Sequence, residues 1–308
     1  VDAAQHYVII GSGPAGDEAA WHLRQRDPDS EITVITAGRL LYIRRYHLYR
    51  VLEGLNDWRD LLVHPPEYYQ DNRISVRRNT YVAGVDPGRQ VLGLRHKEGL
   101  HYDKLLVATG GGGYIPESLR EHRHLIHAFG DFEDATRLRE ALPTAGRVLM
   151  LGGDMMGIEL ARHLVKAGYH VTIVAGEQLF WPHEVDPEKR DDYVTALEHM
   201  DIEVAQGRKV THIEEGARGL AQRRVLLDDS EELHGDVVLA FCGLMPSLNF
   251  ISKAGLHIER GLLVSPELAT INERIWAAGD VCQIWSPEAK RYRCSYEWKS
   301  VRNMGRVA

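Results

Sequence analysis

The chain has 308 residues, 44% hydrophobic and 26% charged, which fits about two folded domains and excludes a disordered chain. Its net charge of -7 gives no broad attraction to a phosphate backbone, so nucleic acid is not an expected partner, and Arg44-Arg45 and Arg77-Arg78 read as solvated faces or local anion contacts. No apolar stretch approaches the roughly 20 residues of a membrane span, and a strand begins so close to the N-terminus that no secretory leader fits, which sets a cytoplasmic expectation.

The run His6 to Ile10 reads as a buried parallel strand. Gly11-Ser12-Gly13-Pro14-Ala15-Gly16 follows as a tight turn that opens a helix through Ala19-Ala20-Trp21-His22-Leu23, and Glu31 to Ile35 is the next strand. This is one βαβ unit, whose helix N-terminus offers backbone amides to a pyrophosphate. Residues 39–72 are richer in Arg, His and Tyr and read as helices and loops. Short strands follow at Ile74 to Val76 and Tyr81 to Val85, and the turn Asp86-Pro87-Gly88-Arg89 joins the latter to Gln90 to Leu94 as a hairpin.

Lys104 to Val107 is a further strand running into Ala108-Thr109-Gly110-Gly111-Gly112-Gly113, a glycine run that suits a hinge and places a boundary near residue 113. The pattern of the first unit then returns. Val148 to Leu151 is the strand, Gly152-Gly153-Asp154-Met155-Met156-Gly157 the turn, Gly157 to Ala167 the helix and His170 to Val174 the second strand. Strands at Glu203-Val204 and Val237 to Ala240 lead to a crossover at Gly243-Leu244-Met245-Pro246, and the chain returns through Leu262 to Val264 and Ile275 to Asp280. The fold class is therefore α/β, with two Rossmann-like dinucleotide-binding domains, the second inserted in the first: residues 1–113 with 244–308, and residues 114–243.

Cys242, Cys282 and Cys294 contain no close pair, which argues against a disulfide framework and a zinc site, so no metal is expected. Each reads as a small residue for packing rather than half of a redox pair.

Gly11 to Gly16, Tyr102 to Gly110, Gly152 to Gly157 followed by Glu159, Gly243 to Pro246, and Ala277-Ala278-Gly279-Asp280 together resemble, in composition and order, the two-dinucleotide-domain flavoproteins of the pyridine nucleotide-disulfide oxidoreductase family. Tyr42-Ile43-Arg44 and Val51-Leu52-Glu53-Gly54 resemble the branch of rubredoxin, ferredoxin and nitrite reductase flavoprotein components. The disulfide branch carries two cysteines just after its first βαβ unit, and here no cysteine precedes Cys242, so that chemistry is excluded.

The resemblance implies FAD on the first unit, held at Gly11, Ser12, Gly13, Pro14, Ala15 and Gly16. Thr36, Val82, Ala108, Thr109 and Gly110 would lie along it, and Gly279-Asp280 would reach its ribityl and phosphate region. It implies NAD(P)H on the second unit at Gly152, Gly153, Asp154, Met155, Met156, Gly157 and Gly243. Glu159 would lie near the nicotinamide, and Arg44 would balance charge on the reduced flavin or contact an FAD phosphate through its fork of donors. The activity implied is transfer of hydride and electrons from NAD(P)H through FAD to a second acceptor, a small redox protein.

Three residues depart from the family pattern, and two of them, Asp154 and Ala175, together with the short C-terminus favour a rival, an FAD-binding electron-relay or structural subunit of a larger complex with a degenerate NAD(P) site. Thr36 stands where an acid usually holds the adenosine ribose, and losing one charge-assisted bond costs about 1.5–3 kcal/mol. Asp154 replaces the middle glycine of the second turn; a carboxylate about 4 Å from a phosphate charge at an effective dielectric near 20 costs about 4 kcal/mol, roughly a thousandfold in affinity. Ala175 occupies the second ribose-acid position, with Glu177 displaced by two residues. The chain ends at Ala308 within a helix expected after Gly279-Asp280, which gives the expectation of a compact two-domain unit.

Overall fold

The computed structural model describes residues 4–55, 57–143, 146–176, 179–183, 185–216, 223–296 and 298–308, so Glu177 lies outside the described residues. Two compact units form: Val1–Ile43 with Leu62–Gly112 and Met245–Ala308, and Arg44–Leu61 with Gly113–Leu244.

The chain opens with strand β1 (His6–Ile10), helix α1 (Pro14–Arg26) and strand β2 (Glu31–Ile35). Proline sits at the first helical position, where its missing N–H is no loss. Strands β3 (Ile74–Arg77) and β4 (Lys104–Val107) complete this part of the first sheet. Between them Val82–Asp86 and Val91–Leu94 pair antiparallel across the Asp86 to Gln90 turn.

The second unit repeats the arrangement with β5 (Arg147–Leu151), α2 (Met155–Lys166), β6 (His170–Ala175), β7 (Ile202–Gln206) and β8 (Val237–Ala240). Its parallel sheet has the order β7-β6-β5-β8. A separate antiparallel sheet, Val210–Glu215, Arg223–Leu227 and Glu232–Gly235, packs Ile213, Val225 and Leu227 against Leu149, Leu151 and Val238.

The chain then returns to the first unit with β9 (Ile275–Ala277) and ends in helix α3 (Trp298–Val307). The first sheet has the order β9-β4-β1-β2-β3, all parallel. Its strands carry near-continuous apolar runs because both faces are covered, and Val8, Ile9, Ile32, Val34, Leu105, Val107 and Ile275 are all buried in one core. Gly279-Asp280 leads into another strand, Cys282–Ser286, which pairs antiparallel with Arg291–Arg293 before α3 begins. The helix expected after Gly279-Asp280 at the end of the chain is α3, which the chain reaches through this strand pair. Among the described residues, no helix is long and apolar enough to cross a membrane.

Candidate functional site

In the first unit the register of the sheet brings separate parts of the sequence to one edge. Ile10 pairs with Ile35 on one side and Val107 on the other, and Val107 pairs with Ala277. The residues that follow these strand ends, Gly11, Thr36, Ala108-Thr109-Gly110 and Ala278-Gly279-Asp280, therefore share the carboxyl edge of the sheet. That edge is where open parallel α/β sheets bind ligands. Backbone bonds lock the arrangement: the Gly11 N–H donates to Ile35 O, Ala108 N–H to Ile10 O, and Ala278 N–H to Val107 O, at 2.8, 2.8 and 3.0 Å.

Each glycine of the first turn has its own reason. Gly11 has φ +114°, and a Cβ there would meet the Ala108 carbonyl oxygen at 2.1 Å; a Cβ on Gly16 would meet the Gly11 carbonyl oxygen at 2.0 Å. Gly13 differs, since a Cβ there would meet nothing within 4 Å among the described residues. It caps α1 with no side-chain bond, so the helix N-terminus faces space that a phosphate suits. Thr109 Oγ1 is buried with no hydrogen-bonding partner among the described residues, which leaves it to a bound polar group. Thr36 Oγ1 accepts from the Gly38 N–H at 3.3 Å, and its carbonyl accepts from the Thr80 N–H, two residues before Val82 at the head of its strand. The residues present fit a dinucleotide held by its pyrophosphate.

The packing behind this edge had no signal in the sequence. A Cβ on Gly305 would meet the Ala15 carbonyl oxygen at 2.3 Å, and one on Gly279 would meet Ala15 Cβ at 3.4 Å, so α3 and the Gly279 turn both press on the first turn of α1. Glu18, 7% exposed, pairs with Arg302 and Arg306 of α3, the latter at 3.3 Å. Burial pushes its carboxyl upward, and the two guanidinium groups together outweigh burial and hold it below the ordinary range. Asp17 accepts from Tyr69 Oη at 2.6 Å and lies 2.8 Å from His64 Nε2. Arg24 donates to the carbonyls of Pro28, Ser30, Asn72 and Arg73.

The second unit builds the same edge. Phe241 N–H donates to Leu151 O at 2.7 Å, which sets Gly152 to Gly157 beside Gly243. Gly152 has φ +83°, and its Cβ would meet the Phe241 carbonyl oxygen at 2.3 Å; a Cβ on Gly157 would meet the Phe241 ring at 2.6 Å. The cradle differs from the first in its contents. Asp154 is the N-cap of α2, 7% exposed, and Oδ1 accepts from the Gly157 N–H at 2.8 Å. Burial raises its carboxyl above the ordinary range, although amides of Gly157, Gly243 and Met156 oppose this. Leu179 and Trp181 line the same turn, facing Gly153 and Gly243, and Met155 stands exposed at the helix start. The glycines fit a dinucleotide; the ionised Asp154 carboxylate does not fit a pyrophosphate on the same donors.

Glu159 and Arg44 are both in the second unit. Glu159 bonds to Arg162 at 2.6 Å and lies 3.3 Å from His163 Nε2, whose Nδ1 lies 3.0 Å from Glu53. Arg44 precedes a short 3-10 turn, and its N–H donates to Leu61 O at 2.8 Å. Ala175 is buried at the end of β6. Burial pushes the Cys242 thiol to about 11 and the Cys282 thiol to about 12, so neither forms a thiolate near neutral pH.

Comparison with known proteins agrees with this geometry. At 27% identity the chain matches the rubredoxin-NAD(+) reductase of Ectopseudomonas oleovorans, over 91% of itself and 72% of that protein. It matches the NADH-dependent phenylglyoxylate dehydrogenase subunit epsilon of Aromatoleum evansii at 26%, over 88% of itself and 64% of that subunit. Among solved structures, the covalent putidaredoxin reductase-putidaredoxin complex superposes with a TM-score of 0.89 at 25% identity, covering 99% of this chain and 74% of the other. Two glycine turns on two parallel sheets, five motifs in one order, and a family profile matching residues 5–304 lead to one conclusion: the chain belongs to the pyridine nucleotide-disulphide oxidoreductase family.

Proposed function

We propose that this chain is an FAD-dependent oxidoreductase that passes reducing equivalents from NAD(P)H to a small redox protein. The observation that carries the proposal is the convergence of Gly11 to Gly16, Thr36, Thr109-Gly110 and Gly279-Asp280 on one strand edge, around the open position at Gly13. FAD supplies the change from two-electron to one-electron transfer that such a reaction needs. Gly11 and Gly16 let the turn close on the Ala108 and Gly11 carbonyls, Gly13 leaves room for the diphosphate, the α1 N-terminus would neutralise it, and Thr109 Oγ1 and Thr36 would provide polar contacts along the cofactor. We assign residues 1–113 with 244–308 to FAD, apart from Arg44–Leu61, which belong to the second compact unit, and residues 114–243 to the pyridine nucleotide, with Gly152 to Gly157 and Gly243 as its cradle. Arg44 and Glu159 are the side chains assigned to charge balance and nicotinamide orientation. The cytoplasmic setting belongs to the same proposal.

Asp154, together with the likeness to a dehydrogenase subunit, favours one second reading, an electron-relay or structural subunit within a complex. Anaerobic addition of NADH and NADPH to the purified yellow protein separates the two. Bleaching of the flavin absorbance is the expected result; a yellow protein that neither nucleotide bleaches supports the subunit, and a chain that takes up no FAD overturns both.

A further inference from the structure

The first four amides of an α-helix have no partner within the helix, and in a dinucleotide fold they serve the pyrophosphate. In the second unit the chain has already used them. The Asp154 N–H donates to Phe241 O at 3.2 Å and the Met155 N–H to Trp181 O at 3.1 Å. Amides of Met156 and Gly157 turn to the Asp154 carboxylate, joined there by the Gly243 amide. The corresponding position in the first unit, Gly13, brings no side chain to its helix. Asp154 thus places a carboxyl group, almost fully buried, where a diphosphate would go.

We infer that Asp154 is a proton-linked gate on the second dinucleotide fold, so that a pyridine nucleotide binds with uptake of a proton by this carboxyl and binds more weakly as pH rises. This rests on the pyridine-nucleotide reading of the second unit. A diphosphate and an ionised carboxylate compete for the same amides and repel each other; the neutral acid does neither with full force. Burial already favours that neutral acid. Among the described residues, the titratable group facing Asp154 is the Cys242 thiol, which burial and Asp154 itself raise to about 11, so it stays neutral in the range concerned. Leu179 and Trp181 stand against Gly153 and Gly243, the glycines on either side of this cap, and neither titrates.

Calorimetric titration of the FAD-loaded chain with NAD+, which carries the same diphosphate and does not reduce the flavin, tests the gate between about pH 6 and pH 9 in two buffers of different ionisation heat. The expected result is an affinity that falls by up to about tenfold per pH unit, with close to one proton taken up. Asp154→Asn keeps a capping acceptor without the charge, and Asp154→Gly restores the usual residue; both are expected to bind with a flat pH profile and more tightly than the parent at high pH. If Asp154→Asn keeps the parental slope, or the parent takes up no proton, the gate is overturned while the donor site stands. If neither NAD+ nor NADP+ binds the parent or either variant while FAD is retained, the reading of the second unit fails, and the gate with it.

Discussion

The glycines of the first turn do different work, and substitution separates them. A valine at Gly13 keeps an extended backbone, φ -81° and ψ -172°, and its Cβ meets nothing. The apo chain should therefore fold with stability changed by less than about 1 kcal/mol, yet lose FAD affinity by more than about tenfold, because the new methyls fill the space for a phosphate. Gly11→Ala puts a side chain at φ +114° against a carbonyl oxygen and should cost the apo fold about 2–4 kcal/mol. Denaturant melts of the apo proteins, read beside flavin content after loading, check both; equal effects at the two positions would show that Gly13 is there for packing. The sequence identified all three glycines, but not which one faced open space. That depended on where Ala108 and the Gly11 carbonyl came to lie, nearly a hundred residues apart in the first case.

At the scale of elements, α1 and α3 act as a pair. Close approach at Gly305 and the Glu18 bonds to Arg302 and Arg306 fix the helix whose N-terminus forms the cradle. The Glu18 carboxyl is held below its ordinary value in the folded chain, so its contribution is present above the unfolded value of about 4.3 and is lost as pH falls through the lower folded one. Glu18→Gln should destabilise the protein by about 1–2 kcal/mol at pH 7, a modest figure because both arginines are more than a third exposed and water screens them. The difference from the parent should shrink to nothing as pH falls through the lowered folded-state value and the carboxyl protonates. A series of melts from pH 7 into acid measures this, and a difference that persists throughout would assign the loss to packing. The βαβ strands and helices were legible because their apolar runs and glycine turns are local. The Glu18 clasp was not, since its partners lie more than 280 residues away and a glutamate on a helix otherwise reads as solvated.

For the whole molecule, the first unit presents a ready cradle and the second one already filled by the chain, and ligand-linked stability should reflect that. FAD at about 100 times its dissociation constant should add about 2.7 kcal/mol to the unit that holds it. NAD+ at one fixed concentration should stabilise the Asp154→Asn chain at about pH 8 more than the parent, because the parent's affinity is lower there. Scanning calorimetry of the loaded proteins reads both effects, and a transition indifferent to FAD would remove the first unit as its site.

The sequence by itself determined the α/β class, the two glycine turns and the order of motifs that marks the family, because each is encoded within a dozen neighbouring residues and the period of a buried strand is visible in its composition. Tertiary structure alone decided what those turns contain. Gly13 is open because no distant group among the described residues reaches it, whereas the α2 amides are filled by Asp154, Phe241 and Trp181. Asp154 is local and was legible in the turn itself, whereas Phe241 and Trp181 come from far segments that the fold brings beside the helix terminus, and no local pattern records that.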